Sequence, residues 1–143
     1  MSNKNNNNNN STEKKVARFE NLLRNGKKEE ARKFLKNHMD VEARNKRGMT
    51  LLMDVVLYLD ADSVEIVLDE DPNLDAKDHY GDTALDYALI ISKKDTIELL
   101  KKHGAKTGKS SNNKNNTRRR LLNNFFPSLR KINLGNTRKV RKH

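Results

Sequence analysis

Between Gly48 and Pro72 apolar side chains recur at the step of a helix, in two short bursts separated by polar residues. Leu52, Val55, Val56 and Leu59 share one stripe, Asp60-Ala61-Asp62-Ser63 breaks it with residues that favour helix starts, and Val64, Val67 and Leu68 make a second stripe. Pro72 stops the second helix, because proline lacks the N–H and its ring clashes with the preceding turn. Thr50 stands where a hydroxyl satisfies the free N–H groups of a helix start, and Gly48 supplies a tight turn just before it. The pattern predicts a polar turn followed by two short helices.

The unit recurs. Gly48-Met49-Thr50-Leu51-Leu52 and Gly81-Asp82-Thr83-Ala84-Leu85 lie 33 residues apart, and Ser63-Val64-Glu65-Ile66-Val67 matches Thr96-Ile97-Glu98-Leu99-Leu100 at the same offset. Backward along the chain, Asp75-Ala76-Lys77-Asp78 falls on Glu42-Ala43-Arg44-Asn45, Val67-Leu68 on Phe34-Leu35 and Val55-Val56 on Leu22-Leu23. The register gives three units, about residues 14–46, 47–79 and 80–106. The expected fold is an all-α solenoid of stacked helix-turn-helix units, in which each unit buries its apolar face against its neighbours.

This pattern resembles the ankyrin repeat family, whose unit is about 33 residues with a T-P-L-H-x-A signature. Thr50 and Thr83 match its Thr, Leu52 and Leu85 its Leu, and Ala88 its Ala, with Val55 in the same place one unit earlier; Leu51 and Ala84 replace the Pro, and Met53 and Asp86 the His. The loss of the Thr–His bonding implies modest stability. Residues 42–48 and 75–81 look like the family's finger, and His103-Gly104-Ala105 like its helix end, where His103 has a structural role. Lys101 and Lys102 stand where inner repeats prefer Leu and a polar residue, as suits an end unit whose outer face meets water.

The resemblance implies a protein-binding face made of finger tips and first helices. It assigns to that face Arg44, Lys46, Arg47 and Met49 in one finger and Lys77, His79, Tyr80 and Asp82 in the next. The matching helix positions are Arg24 and Asn25, then Leu57 and Tyr58, then Ile90 and Ile91. Two readings of Leu57, Tyr58, Ile90 and Ile91 stand side by side: clustered exposed apolar side chains that mark a contact site, or side chains packed between neighbouring repeats or under the tail.

Composition bounds the rest. A chain of 143 residues without Cys has no disulfide scaffold, zinc-thiolate site or cysteine nucleophile, and its longest apolar stretch, Val55 to Leu59, is far short of the roughly 20 residues of a membrane span. Met1–Glu13 reads as an Asn-rich leader without structure and without a secretory or myristoylation signal, so an intracellular protein, cytoplasmic or nuclear, is expected. His38, His79, His103 and His143 show no metal-ligand spacing, and no nucleophile-base pair is readable; neither enzyme activity nor a cofactor is expected. Gly104-Ala105-Lys106-Thr107-Gly108-Lys109-Ser110 echoes a phosphate-binding loop but has three residues between its glycines rather than four, and it follows a helix end rather than a strand.

Net charge is +11, and residues 107–143 hold eleven Lys or Arg and no acid. Between Gly48 and Ala76 there are eight acids and no Lys or Arg, a solvated acidic face or a docking surface for something basic, without the glycine and terminal glutamate of a calcium loop. In the 107–143 tail a polar linker from Thr107 to Thr117 leads to an amphipathic helix over 118–134. Arg118, Arg119 and Arg120 open it, Arg130 and Lys131 lie near its end, and Arg138, Lys139, Arg141 and Lys142 follow. Such a tail fits nucleic acid phosphates, an anionic membrane, a calmodulin-like groove or an import receptor, and equally a disordered basic end. The whole reads as a monomeric protein-binding module for an unidentified partner. A tail-led association with nucleic acid or membrane is the alternative.

Overall fold

The computed structural model describes residues 4–108 and 114–124. Among the described residues seven helices follow in chain order: α1 (Lys4–Arg24), α2 (Lys28–His38), α3 (Leu51–Tyr58), α4 (Ala61–Leu68), α5 (Ala84–Ile90), α6 (Lys94–Lys102) and α7 (Lys114–Asn124). The chain divides into two units after Lys109, with the first six helices in one and α7 in the other. In the first unit α1 packs on α2, α3 on α4 and α5 on α6, while α2, α4 and α6 form one layer and α3 packs on α5 in the other. This is the expected all-α stack of three helical pairs.

The period is visible in the backbone as well as in side chains. Thr50 caps α3 by accepting from the N–H of Met53, and Thr83, 33 residues on, caps α5. Asp60 caps α4, accepting from the Ser63 N–H at 2.9 Å and its hydroxyl at 2.6 Å, which holds the Asp60 carboxyl below its ordinary range. Asp71 and Gly104, also 33 residues apart, both turn into the left-handed region just past the ends of α4 and α6. Asp71 does so with a side chain in place, in a conformation that costs most residues about 1 kcal/mol or more.

The two positions that lack the family's His are filled differently. Met53 is buried in the core. Asp86 completes a capping box with Thr83 and also accepts from the Gly108 N–H at 2.8 Å, while the Thr83 hydroxyl donates to the Lys106 carbonyl at 2.9 Å. These bonds draw the chain after α6 back over the start of α5. A side chain at Gly108 would strike the Gly81 carbonyl at 2.5 Å. Gly108, the second glycine of the phosphate-loop echo, thus gives its N–H to the Asp86 carboxylate, and Lys109 and Ser110 lie outside the described residues.

Helices reach into the polar stretches near both ends of the described residues. The first helix starts at Lys4 and takes in the Asn-rich run; once Phe19 and Leu23 are buried and the helix is nucleated, adding further turns costs little. The polar stretch ahead of Arg118 is helical from Lys114, and residues 117–124 of α7 stand 33 residues after 84–91 and 66 after α3. Leu121 thereby occupies the repeat position of Val55 and Ala88. The remainder of the expected 118–134 helix, with Arg130, Lys131, Arg138, Lys139, Arg141 and Lys142, lies outside the described residues.

The repeats are joined by an ammonium group that periodicity does not reveal. Lys93, ahead of α6, donates to the carbonyls of Val56 at 2.8 Å, Leu57 at 3.3 Å and Leu59 at 2.7 Å. These belong to the C-terminal end of α3, whose last carbonyls have no partner within the helix and carry its negative dipole end.

Two outcomes follow. Leu85→Ala, at a fully packed position, should cost about 2–5 kcal/mol by lost burial and a cavity, read as a lower urea midpoint by circular dichroism. Lys93→Met keeps most of the side chain's length but leaves three carbonyls without their donor, and should cost about 1–3 kcal/mol in the same measurement.

Candidate functional site

The two fingers are built by one device. The side-chain oxygen of Asn45 accepts from the N–H groups of Arg47 at 2.9 Å and Met49 at 3.1 Å; Asp78 does the same for Tyr80 at 2.9 Å and Asp82 at 3.0 Å. In each, the first residue's N–H bonds the carbonyl four residues on, closing a tight hairpin around Gly48 or Gly81, both at positive φ. Asp78 is buried and also accepts from the Tyr87 hydroxyl. The fingers then lock together: the His79 N–H donates to the Arg47 carbonyl at 3.0 Å, and the Arg44 guanidinium spans the Gly48 carbonyl at 2.9 Å and the Lys77 carbonyl at 2.5 Å. A Cβ at Gly48 would meet the His79 ring at 2.5 Å, so glycine is required for this approach.

The structure sorts the expected face. Lys46, Arg47, His79 and Tyr80 are exposed at the tips, and Tyr58 is exposed on α3. Arg44 is exposed but committed to two backbone carbonyls. Met49 and Leu57 do not belong to the surface: at 1% and 3% exposure they are core, because the finger folds Met49 inward and Leu57 packs within the stack. Asp82 is buried for the same reason as Met49. Ile90 and Ile91 are half-buried. For Leu57 the packing reading holds; for Tyr58 exposure does. On α7, Arg118 and Arg119 are exposed and Arg120 is half-buried.

The acidic middle is answered from within the molecule. Lys28 on α2 meets Asp62 on α4 at 2.6 Å, and Arg32 pairs with Asp69 further along the same two helices. Hydrogen bonding to Asp62 raises the Lys28 pKa, and bonding to Asp69 raises that of Arg32. Among the described residues no group of three or more side chains is placed to hold a metal ion.

A feature that sequence reading missed lies beside the fingers. α1 packs on α2 without comparable packing on α3, and the space between them is a groove of about 340 Å³ lined from α1, the Met39–Met49 segment and α3. Glu20 and Asp54 both face it. Burial pushes Glu20 up from the ordinary carboxylate range, against the pull of Arg24 at 3.8 Å. Asp54 is pushed up to about 7, mainly by burial and then by the charge of Glu20, with Arg47 opposing. Burial, followed by the Asp54 charge, also raises the Tyr58 hydroxyl. The signal in the sequence was Asp54 itself, the one charged residue in the run Leu51–Leu59.

A carboxyl with a raised pKa binds its proton more tightly in the folded chain, so its contribution to stability is present below about pH 4 and lost as pH rises through about 7. Asp54→Asn should therefore be more stable than the parent at pH 8, by on the order of 1–4 kcal/mol, the upper figure being the full shift at about 1.4 kcal/mol per unit. The difference between the two proteins should shrink steadily from pH 7 to pH 4 in urea titrations.

Compared with known families, residues 20–125 match the family model for ankyrin repeats in three copies. The match runs past α6 and takes in α7. A search of the curated proteins finds no match to the chain.

Proposed function

Because the chain belongs to the ankyrin repeat family, whose repeats generally serve protein–protein contact, we propose that it is a non-enzymatic adaptor that holds a partner protein on the face made by its finger tips and first helices. The observation that carries this reading is the placement of Tyr58 and Tyr80. Among the described residues these are the large apolar side chains that are exposed, at 38% and 42%, and both fall at positions expected to touch a partner. Tyrosine suits such a place, offering a broad ring at little entropic cost and a hydroxyl for a polar contact. Around them Lys46 and Arg47 supply a cationic rim, with His79 also exposed and Ile90 and Ile91 half-buried. The fingers are held by Asn45, Asp78 and backbone bonds, so these side chains are presented on a rigid frame and little ordering is required on binding. The basic tail adds a second, electrostatic contact, to the same partner or to an anionic surface.

The full chain carrying Tyr58→Ala and Tyr80→Ala should keep its helical circular dichroism signal within about 10% while losing roughly tenfold or more in partner capture, as expected for exposed aromatic anchors. Unfolding of the double variant would assign both rings to the core. Unchanged capture would move binding away from this face.

A further inference from the structure

We infer that the groove between α1 and α3 is a specificity pocket for one lysine or arginine side chain of the partner protein. This rests on the reading above, that the adjoining face binds protein, and adds what the partner must present there.

The lining is chemically divided. Ala17, Met39, Ala43 and Met49 give apolar walls, and Glu20 and Asp54 set carboxyl groups among them. A long basic side chain has the same division, an apolar stem with a cation at its tip, and such residues bury their stems while the charge finds a polar partner. The volume, about 340 Å³, lies at the low end for pockets that enclose a whole small molecule, about 300–1,000 Å³, and suits a side chain with its flanking backbone.

Charge complementarity favours a cation. Glu13 and Asp40 also line the groove, against Lys15 and Arg44, and Arg44 is spent on the Gly48 and Lys77 carbonyls; Arg24, 3.8 Å from Glu20, and Arg47, which acts on Asp54, are exposed and offset these carboxyls only in part. Burial first, and then the charge of Glu20, raise the Asp54 pKa against the opposing charge of Arg47, so the groove disfavours the second negative charge. A cation placed between the two carboxyls relieves that repulsion and binds the ionised form. A metal ion is a poorer occupant, since no described cluster supplies three ligating side chains. Tyr58 lies one helical turn beyond Asp54 on α3 and is exposed.

The test uses the full chain with labelled methionine methyls and a blocked pentapeptide, Gly-Gly-Lys-Gly-Gly, against the same peptide with norleucine in place of lysine. The lysine peptide should shift the Met39 and Met49 methyl signals saturably, while the norleucine peptide should not. Asp54→Asn and, independently, Glu20→Gln should each weaken the lysine peptide roughly tenfold, on the scale of one charge-assisted contact. Affinity should rise from pH 6 to pH 8 as Asp54 ionises. Equal shifts with both peptides, shifts confined to other methionines, or full affinity in both folded variants would overturn the proposal. If the lysine peptide fails while Tyr58→Ala with Tyr80→Ala still abolishes partner capture, the pocket is wrong and the binding face stands. If the peptide behaves as expected while that double variant captures normally, the pocket stands and the tyrosine face is wrong.

Discussion

Everything in the stack depends on α3 being apolar on nearly every side. Six of its eight residues, Leu51, Leu52, Met53, Val55, Val56 and Leu57, are buried, and an isolated helix of that length is unstable in water. It forms only where α4 and α5 pack against it. Each buried side chain contributes about 1.5–3 kcal/mol relative to exposure, and nearly all of that gain comes from contacts with other helices. A repeat in this chain is therefore a fragment of a fold that exists only with its neighbours.

The polar groups at the ends of α3 obey the same rule. Its N-terminus is satisfied locally by Thr50, but its C-terminus takes its donor from Lys93 in the next repeat. Burial pulls the Lys93 pKa down, while Asp60 supports its charge. The fingers repeat the arrangement, with Arg44 and the His79 N–H bridging consecutive fingers. Cooperative unfolding is thus wired through hydrogen bonds as well as through apolar area.

What repeats was legible in the sequence, and what is made by juxtaposition was not. The 33-residue step, the threonine caps at 50 and 83 and the glycine turns at 48 and 81 depend on residues within a few positions of one another, and all stand where the pattern puts them. The burial of Met49 and Leu57 depends on how the finger folds inward and how the helices pack, information that a family position does not carry. The Glu20–Asp54 groove needs two helices brought together from different units. α1 runs from Lys4 to Arg24, and its anchor in the core is Phe19 and Leu23 near its C-terminal end.

The bonds from Lys28 to Asp62 and from Arg32 to Asp69 bear on a hazard peculiar to repeated sequences. Units that resemble one another can dock in the wrong order, or with the equivalent unit of a second molecule made nearby. Here the first unit carries eleven basic and five acidic residues between Lys14 and Lys46, and the span Gly48–Ala76 within the second carries eight acids and no base. Two first units, or two second units, would meet with like charges opposed, whereas the correct neighbours attract. Opposite charge on adjacent units favours the permitted neighbour over the look-alike, a discrimination that shape alone does not supply to parts of similar form.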